Sequence, residues 1–99
     1  MNQKIYTNST VRIEAQIRLR TGELVDPIGI RFFMTDPDGI LTQYTWGTNA
    51  ELKHNNGATG IFYVEWFADK TGKYKYTWES YGDIAISQKG IFEAENSRW

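Results

Sequence analysis

The chain has 99 residues, of which 40% are hydrophobic, 15% aromatic and 23% charged, and its net charge is −1. A chain of this length builds one core, so we expect residues 1–99 to form a single domain. The balanced charge argues against nucleic-acid binding, which needs a clustered basic surface. Because there is no cysteine, a disulfide and a thiolate metal site are both excluded.

The sequence also argues against membrane insertion and export. No stretch approaches the ~20 apolar residues of a membrane span. Residues 1–10 lack the apolar core of a secretory signal. If Met1 is the natural start, we expect synthesis in the cytoplasm, no export by the usual route and no membrane partner.

Strict alternation of apolar and polar residues predicts the first long strand, from Thr10 to Arg20. Side chains on a strand point to alternate faces, so its polar positions would meet water. The positions expected to face the core are Val11, Ile13, Ala15, Ile17 and Leu19. Residues 1–9 are expected to be an N-terminal arm or edge strand.

A hairpin is predicted next. A strand from about Ile28 to Thr35 would turn its even positions, 30, 32 and 34, inward and leave Phe33 facing outward. The Asp-Pro-Asp-Gly sequence at 36–39 predicts a tight turn, because proline presets φ and aspartate side chains bond nearby backbone. Residues 40–46 would form the returning strand.

Three further strands complete the prediction, after a short edge piece at 51–54. In the strand 61–67, alternate positions including Trp66 should face the core. From Thr71 to Trp78, aromatic residues at even positions alternate with polar residues at odd positions. The last strand runs over 84–95 with a bulge expected at Gly90, and residues 96–99 are expected to form a tail.

About seven short strands with turn signals roughly every 8–12 residues predict an all-β sandwich or barrel. No window shows a helical period, and no repeat or linker divides the chain.

The sequence offers no constellation for catalysis, so we expect no enzyme and no cofactor. His54 is the sole histidine, and a solvated position at a strand end explains it better than a triad or a zinc site. Asp36 and Asp38 supply too few oxygen ligands for calcium, and the turn already explains them. A glycosidase would need opposed carboxylates in a cleft, which this strand pattern does not predict.

The aromatic residues carry the main indication of binding. A small domain fills its core with large rings, and the residues expected to do so are Trp66, Tyr74, Tyr76 and Trp78. Interface cores are also rich in such rings. Tyr44 and Trp46, on a hairpin arm, fit a core role and an exposed role equally well. Trp99, at the very end of the chain, favours contact with another copy or another protein over the domain's own edge.

Six motifs in a fixed order resemble a family of small immunoglobulin-like proteins encoded by tailed bacteriophages and prophages. The resemblance covers about Val11 to Ala94. The segments that carry it are 26–27 (Asp-Pro), 36–39 (Asp-Pro-Asp-Gly), 44–48 (Tyr-Thr-Trp-Gly-Thr), 60–62 (Gly-Ile-Phe), 71–79 (Thr-Gly-Lys-Tyr-Lys-Tyr-Thr-Trp-Glu) and 89–94 (Lys-Gly-Ile-Phe-Glu-Ala).

The resemblance implies an immunoglobulin-like antiparallel β-sandwich without a disulfide. Residues 69–74 also resemble a tyrosine corner, in which the Tyr74 hydroxyl would bond back to nearby backbone. The second cysteine of antibody domains is missing, and Tyr76 stands where it would be expected.

The resemblance further implies a non-enzymatic structural component of the virion, docked in many copies on the capsid, neck or tail. Its partners would be other virion proteins, and further copies of itself are a second candidate. The candidate contact residues are Phe33, Tyr44, Trp46, Tyr81 and Trp99. The alternative is a carbohydrate-binding or adhesion module, which would stack host-surface glycans on exposed aromatic rings.

Overall fold

The computed structural model describes residues 2–55, 58–82 and 84–95, and these form two β-sheets packed face to face. The eight strands in this part of the chain are β1 (Asn2–Tyr6), β2 (Ser9–Gln16), β3 (Gly29–Thr35), β4 (Leu41–Thr45), β5 (Lys53–His54), β6 (Ile61–Ala68), β7 (Gly72–Tyr81) and β8 (Ser87–Glu95). The predicted all-β class is therefore confirmed, and no helix able to cross a membrane occurs among these residues.

One sheet has the order β1-β8-β7-β3-β4 and the other the order β2-β6-β5. All the pairings are antiparallel except that of β1 with β8, which is parallel and places Asn2 beside Ile91. The predicted antiparallel β-sandwich is confirmed, with this one parallel pairing at its edge among the described strands. The architecture is an immunoglobulin-like β-sandwich.

The core lies between the sheets and is built from the predicted alternation. In β3 the three even positions, Ile30, Phe32 and Met34, are fully buried, as predicted. The ring centroids of Phe32 and Trp78 lie 4.7 Å apart, and those of Tyr74 and Phe92 are stacked at 4.8 Å. Aromatic packing therefore joins the central strands of the larger sheet to one another.

The first long strand is shorter than the alternation predicted. β2 ends at Gln16, and after Ile17 the chain folds back on itself through hydrogen bonds from Leu19 N to Glu23 O and from Val25 N to Ile17 O. Leu19 lies in this excursion and is 41% exposed, so its predicted place in the core is wrong.

The bulge predicted at Gly90 is also wrong, because β7 and β8 pair without interruption from Gly72↔Ala94 to Glu79↔Ser87. Gly90 lies directly opposite Tyr76, whose ring covers it. A Cβ atom at position 90 would come within 2.3 Å of the Tyr76 ring. Glycine in this strand marks the close approach of a side chain rather than an extra residue.

Candidate docking cleft at Trp46

A cleft of about 560 Å³ opens where an edge of one sheet meets an edge of the other. β4 is an outer strand of the larger sheet, β5 is an outer strand of the smaller one, and residues 46–52 connect them. The lining comes from Trp46, the connecting residues 47–50, residues 52–54 and Tyr63. We call this feature the Trp46 cleft. Its volume is in the range typical of small ligand sites.

Trp46 is the largest side chain of the cleft, and it is 40% exposed. Its ring packs edge-on against Phe62 at 5.5 Å and lies 5.9 Å from the His54 ring. His54 in turn lies 4.8 Å from Phe62, which is buried. The three rings support one another, so the exposed face of the indole is held in place by contacts on its other side.

Asp26 fixes the floor of this cluster. Its Oδ1 atom accepts hydrogen bonds from Gly60 N at 2.6 Å and from His54 Nε2 at 3.1 Å. The side chain of His54 is 28% exposed. His54 does lie at a strand end, as predicted, but it is only partly solvated, because its ring packs against Trp46 and Phe62 and bonds to Asp26.

Asn49 shapes the upper rim. Its Oδ1 atom accepts a hydrogen bond from Thr45 N at 2.9 Å, and the backbone N–H groups of Thr48 and Asn49 donate to Thr45 O. Trp46 N donates to Ile30 O. The backbone groups at even positions of β4 therefore bond to β3, and those at odd positions point to the free edge of the sheet. The loop thus caps both outward backbone groups of Thr45 and holds Trp46 at the start of the cleft.

The polar contacts of His54 bear on what the cleft can do chemically. In the described part of the chain, the His54 ring has a hydrogen bond to Asp26 and none to a hydroxyl, so no nucleophile is activated. Nor do the described residues include a group of three or more metal-ligating side chains. Burial, assisted by Glu51, raises the pKa of the Tyr44 hydroxyl, which keeps it protonated.

The structure separates the predicted contact residues. Tyr44 points into the sandwich, where its ring lies 6.3 Å from Phe32 and 6.1 Å from Trp66. Phe33 is half-buried on the outer face of the larger sheet, opposite Gln43. Tyr81 is the last residue of β7 and lies on that same outer face. Trp99 and the predicted tail lie outside the described residues.

Tyr81 has a local role on its face of the sheet. Its ring covers Gly29, where a Cβ atom would be 2.1 Å from the ring, and the Arg31 guanidinium lies 4.6 Å from the ring centroid. The ring is 36% exposed. The Tyr81 ring is thus partly covered by contacts within the domain. Of the described candidates Phe33, Tyr44, Trp46 and Tyr81, Trp46 has the largest exposed fraction.

Tyr74 and Trp78 are each 1% exposed, while Tyr76 and Trp66 are half-buried and pack against the same core. The Nε1 atom of Trp78 is buried without a hydrogen-bond partner among the described groups. These four rings therefore lie in or against the core, away from the cleft.

Sequence reasoning missed Asp26, Asn49 and Lys70. From the sequence, Asp26 is identified only as part of the Asp-Pro motif at 26–27, and it lies 28 residues from His54 in the chain. Lys70 Nζ lies 2.9 Å from both Asp36 Oδ2 and Asp38 Oδ2. Its ammonium group occupies the space between the two carboxylates that were considered for calcium.

No protein-family model matches the chain, and no curated protein matches it either. Among solved structures, it is similar to the crystal structure of the Lin-41 filamin domain, with 18% sequence identity and a TM-score of 0.67. The match covers 96% of this chain and 85% of that chain. At this identity the similarity shows the fold alone, an immunoglobulin-like β-sandwich.

Proposed function

We propose that this chain is a non-enzymatic protein-interaction module that docks on a larger protein through the Trp46 cleft. The observation that carries the proposal is the exposed, internally supported ring of Trp46. Tryptophan is enriched among the residues that dominate binding energy at interfaces. A ring already fixed by Phe62 and His54 loses little conformational freedom when a partner covers it.

The polar groups around the cleft suit a protein partner. Lys53 and Glu65 form a loose pair with 3.9 Å between Nζ and Oε1, and both side chains are about half exposed. Beyond Asn49, the N–H and C=O groups of Gln43 and Leu41 face the free edge of β4. An apolar anchor with a polar rim and available backbone groups matches the usual anatomy of an interface.

At a finer level, we propose that the larger protein belongs to a tailed-phage virion, as part of its capsid, neck or tail. The ordered motifs shared with phage immunoglobulin-like proteins support this assignment. Many copies on one particle would bind by avidity, so each site could be weak. The protein would then reside in the virion.

The glycan-binding alternative receives less support from the geometry. Stacking of a sugar chain needs several rings on one exposed face. The exposed rings in the described part of the chain, Tyr6, Trp46, Phe67 and Tyr81, belong to β1, the cleft, β6 and β7. Phe67 lies on the outer face of the smaller sheet. Tyr6 and Tyr81 share the outer face of the larger sheet but lie at opposite ends of it, because Tyr6 is level with the start of β7 and Tyr81 is the last residue of β7.

Purified phage particles from cells that carry the gene provide the test. We expect the wild-type chain to copurify with intact particles and Trp46→Ala to be depleted at least roughly tenfold, the loss typical of a central interface residue. Tyr6→Ala, which removes an exposed ring from β1 at the edge of the larger sheet opposite β4, is the matched control and should copurify normally. Absence of the wild-type chain from particles would reject the virion assignment. If both variants copurified with particles equally well, the Trp46 cleft would be rejected as the docking site.

A further inference from the structure

The edge of the smaller sheet formed by β2 is open for hydrogen bonding. Ile17 N donates to Gly60 O, and this bond shows which residues of β2 are hydrogen-bonded to β6. Odd positions of β2 therefore bond to β6, and even positions direct their N–H and C=O groups away from the sheet. No described group is hydrogen-bonded to the outward backbone atoms of Thr10, Arg12 or Glu14.

Both ends of this open stretch are defined. At one end Asn8 adopts a left-handed conformation with φ 66° and donates to Ala68 O. At the other end Gln88, from the opposite sheet, donates from Nε2 to Gln16 O at 2.7 Å. Between them the strand has no proline, lysine or inward-facing charge, and its two charged side chains, Arg12 and Glu14, have opposite signs.

The other edges near the Trp46 cleft are less available. β5 has two residues, and on β4 the outward groups of Thr45 are capped by the loop that contains Asn49. Of the edges whose side chains the structure describes throughout, β2 offers the longest open run of backbone.

We propose that β2 pairs antiparallel with β2 of a second copy of this chain. In the proposed register, Arg12 lies opposite Glu14 of the partner subunit, and two-fold symmetry repeats the pair. Arg12 and Glu14 are both outward-bonding positions, so each such pair exchanges both backbone hydrogen bonds. The two smaller sheets then become one continuous sheet.

The opposite charges of Arg12 and Glu14 make the β2 edge complementary to itself. This favours a second copy of the chain as the partner of β2 and determines the register of the pairing. Moving the pairing by one step of two residues would place Arg12 opposite Arg12, or Glu14 opposite Glu14, of the partner subunit. Like charges directly opposite destabilise a sheet, and opposite charges stabilise it. Side chains of Arg12 and Glu14 are 49% and 39% exposed, so both are available to a partner.

The Arg12 side chain is already positioned for this contact. Its guanidinium lies 3.8 Å from the centroid of the Tyr63 ring and 3.5 Å from Glu14 Oε1 of the same strand. These contacts hold the charge on the outer face of the sheet. The Trp46 cleft lies at the β5 edge of the same sheet, opposite β2, so it stays free in the dimer. Each dimer therefore presents two Trp46 clefts. The inference does not depend on the identity of the cleft's partner.

Cysteine crosslinking tests the register, because the natural sequence has no cysteine. In the proposed pairing, Thr10 faces Gln16 of the partner subunit with Cα atoms about 5.5 Å apart, within disulfide range. Within one chain these positions are about 20 Å apart along the strand. We expect the double variant Thr10→Cys, Gln16→Cys to form covalent dimers under mild oxidation. Each single variant alone should not, and equal crosslinking by the single variants would overturn the register.

Charge exchange tests the interface itself. Analytical ultracentrifugation of the wild type should show a monomer–dimer equilibrium that weakens with added salt. Arg12→Glu alone or Glu14→Arg alone should raise the dimer Kd roughly tenfold. The double exchange R12E/E14R restores both cross-strand pairs and should restore dimerisation, with thermal unfolding as the check on folding. A wild type that stays monomeric at ~0.5 mM, or a double exchange no better than the single ones, would reject the proposal.

Discussion

The hydroxyl of Tyr74 is bound to both backbone groups of Lys70, accepting from its N–H at 3.0 Å and donating to its C=O at 3.2 Å. The side chain of the same lysine bonds to Asp36 and Asp38 in the β3–β4 turn. Asp36 Oδ1 accepts from the backbone N–H groups of Asp38 and Ile40. Lys70 therefore joins the corner before β7 to the turn after β3, at the end of the sandwich remote from the Trp46 cleft.

Removal of the Tyr74 hydroxyl should loosen this corner. Burial raises the pKa of the hydroxyl, so it stays protonated and able to donate. In Tyr74→Phe the partly buried N–H of Lys70 loses its acceptor, and we expect the free energy of unfolding to fall by about 1–2 kcal/mol. Urea unfolding measures the change. Tyr63→Phe is the control, because the Tyr63 hydroxyl has no such bonds to the described residues, and its free energy of unfolding should fall by less than about 0.5 kcal/mol.

The Lys70 cluster should make stability depend on pH at both extremes. The hydrogen bond from Lys70 lowers the pKa of Asp36 below its ordinary value of 3.8, and the backbone bond from Ile40 adds to this. That contribution is present above pH 3.8 and is lost as the pH falls through the lowered pKa. The two carboxylates raise the pKa of Lys70 above its ordinary 10.5. Its contribution is present below pH 10.5 and is lost as the pH rises through the raised pKa.

Lys70→Met separates this cluster from other titrating groups. Without the ammonium group, the pKa of Asp36 should move back up toward 3.8, which carboxyl NMR shifts measure directly. Stability should also decline less steeply in the variant below pH 4. An Asp36 pKa that is the same with and without Lys70 would contradict this account.

The sheets could be predicted because burial on a strand repeats every second residue. β3 and β6 follow the predicted alternation through their buried positions, from Ile30 to Met34 and from Phe62 to Val64. The prediction overextended β2, because Ile17 and Leu19 continue the alternating pattern beyond the point where the chain leaves the sheet. The alternation of apolar and polar residues does not by itself show where a strand stops pairing with its neighbour.

The polar contacts of the cleft could not be predicted, because they join residues far apart in the chain. Asp26 bonds to Gly60 across 34 residues, and no local pattern at either position indicates the other. Trp46 was identified as a candidate because it ends a hairpin arm. The partners that fix its ring, His54 and Phe62, follow only from the three-dimensional meeting of β4, β5 and β6.

Gly60 should be far more sensitive to substitution than Gly22, although both have positive φ, at 75° and 91°. A Cβ atom on Gly60 would lie 2.9 Å from backbone atoms of Ile17 and Val25, whereas nothing lies within 4 Å of one on Gly22. We expect Gly22→Ala to cost about 1 kcal/mol from backbone strain and Gly60→Ala at least ~3 kcal/mol. Equal losses in thermal or urea unfolding would show that crowding at Gly60 is relieved by movement of the loop.

The cap that Asn49 places on Thr45 should be measurable by amide hydrogen exchange. In Asn49→Ala the outward N–H of Thr45 loses its acceptor, and its exchange should accelerate roughly tenfold, corresponding to about 1.4 kcal/mol. Asn49→Asp keeps an oxygen at the same position and should preserve protection. Amides of β7 serve as internal references, because both substitutions lie far from that strand. Unchanged exchange of Thr45 in Asn49→Ala would mean that the loop, rather than this side chain, closes the β4 edge.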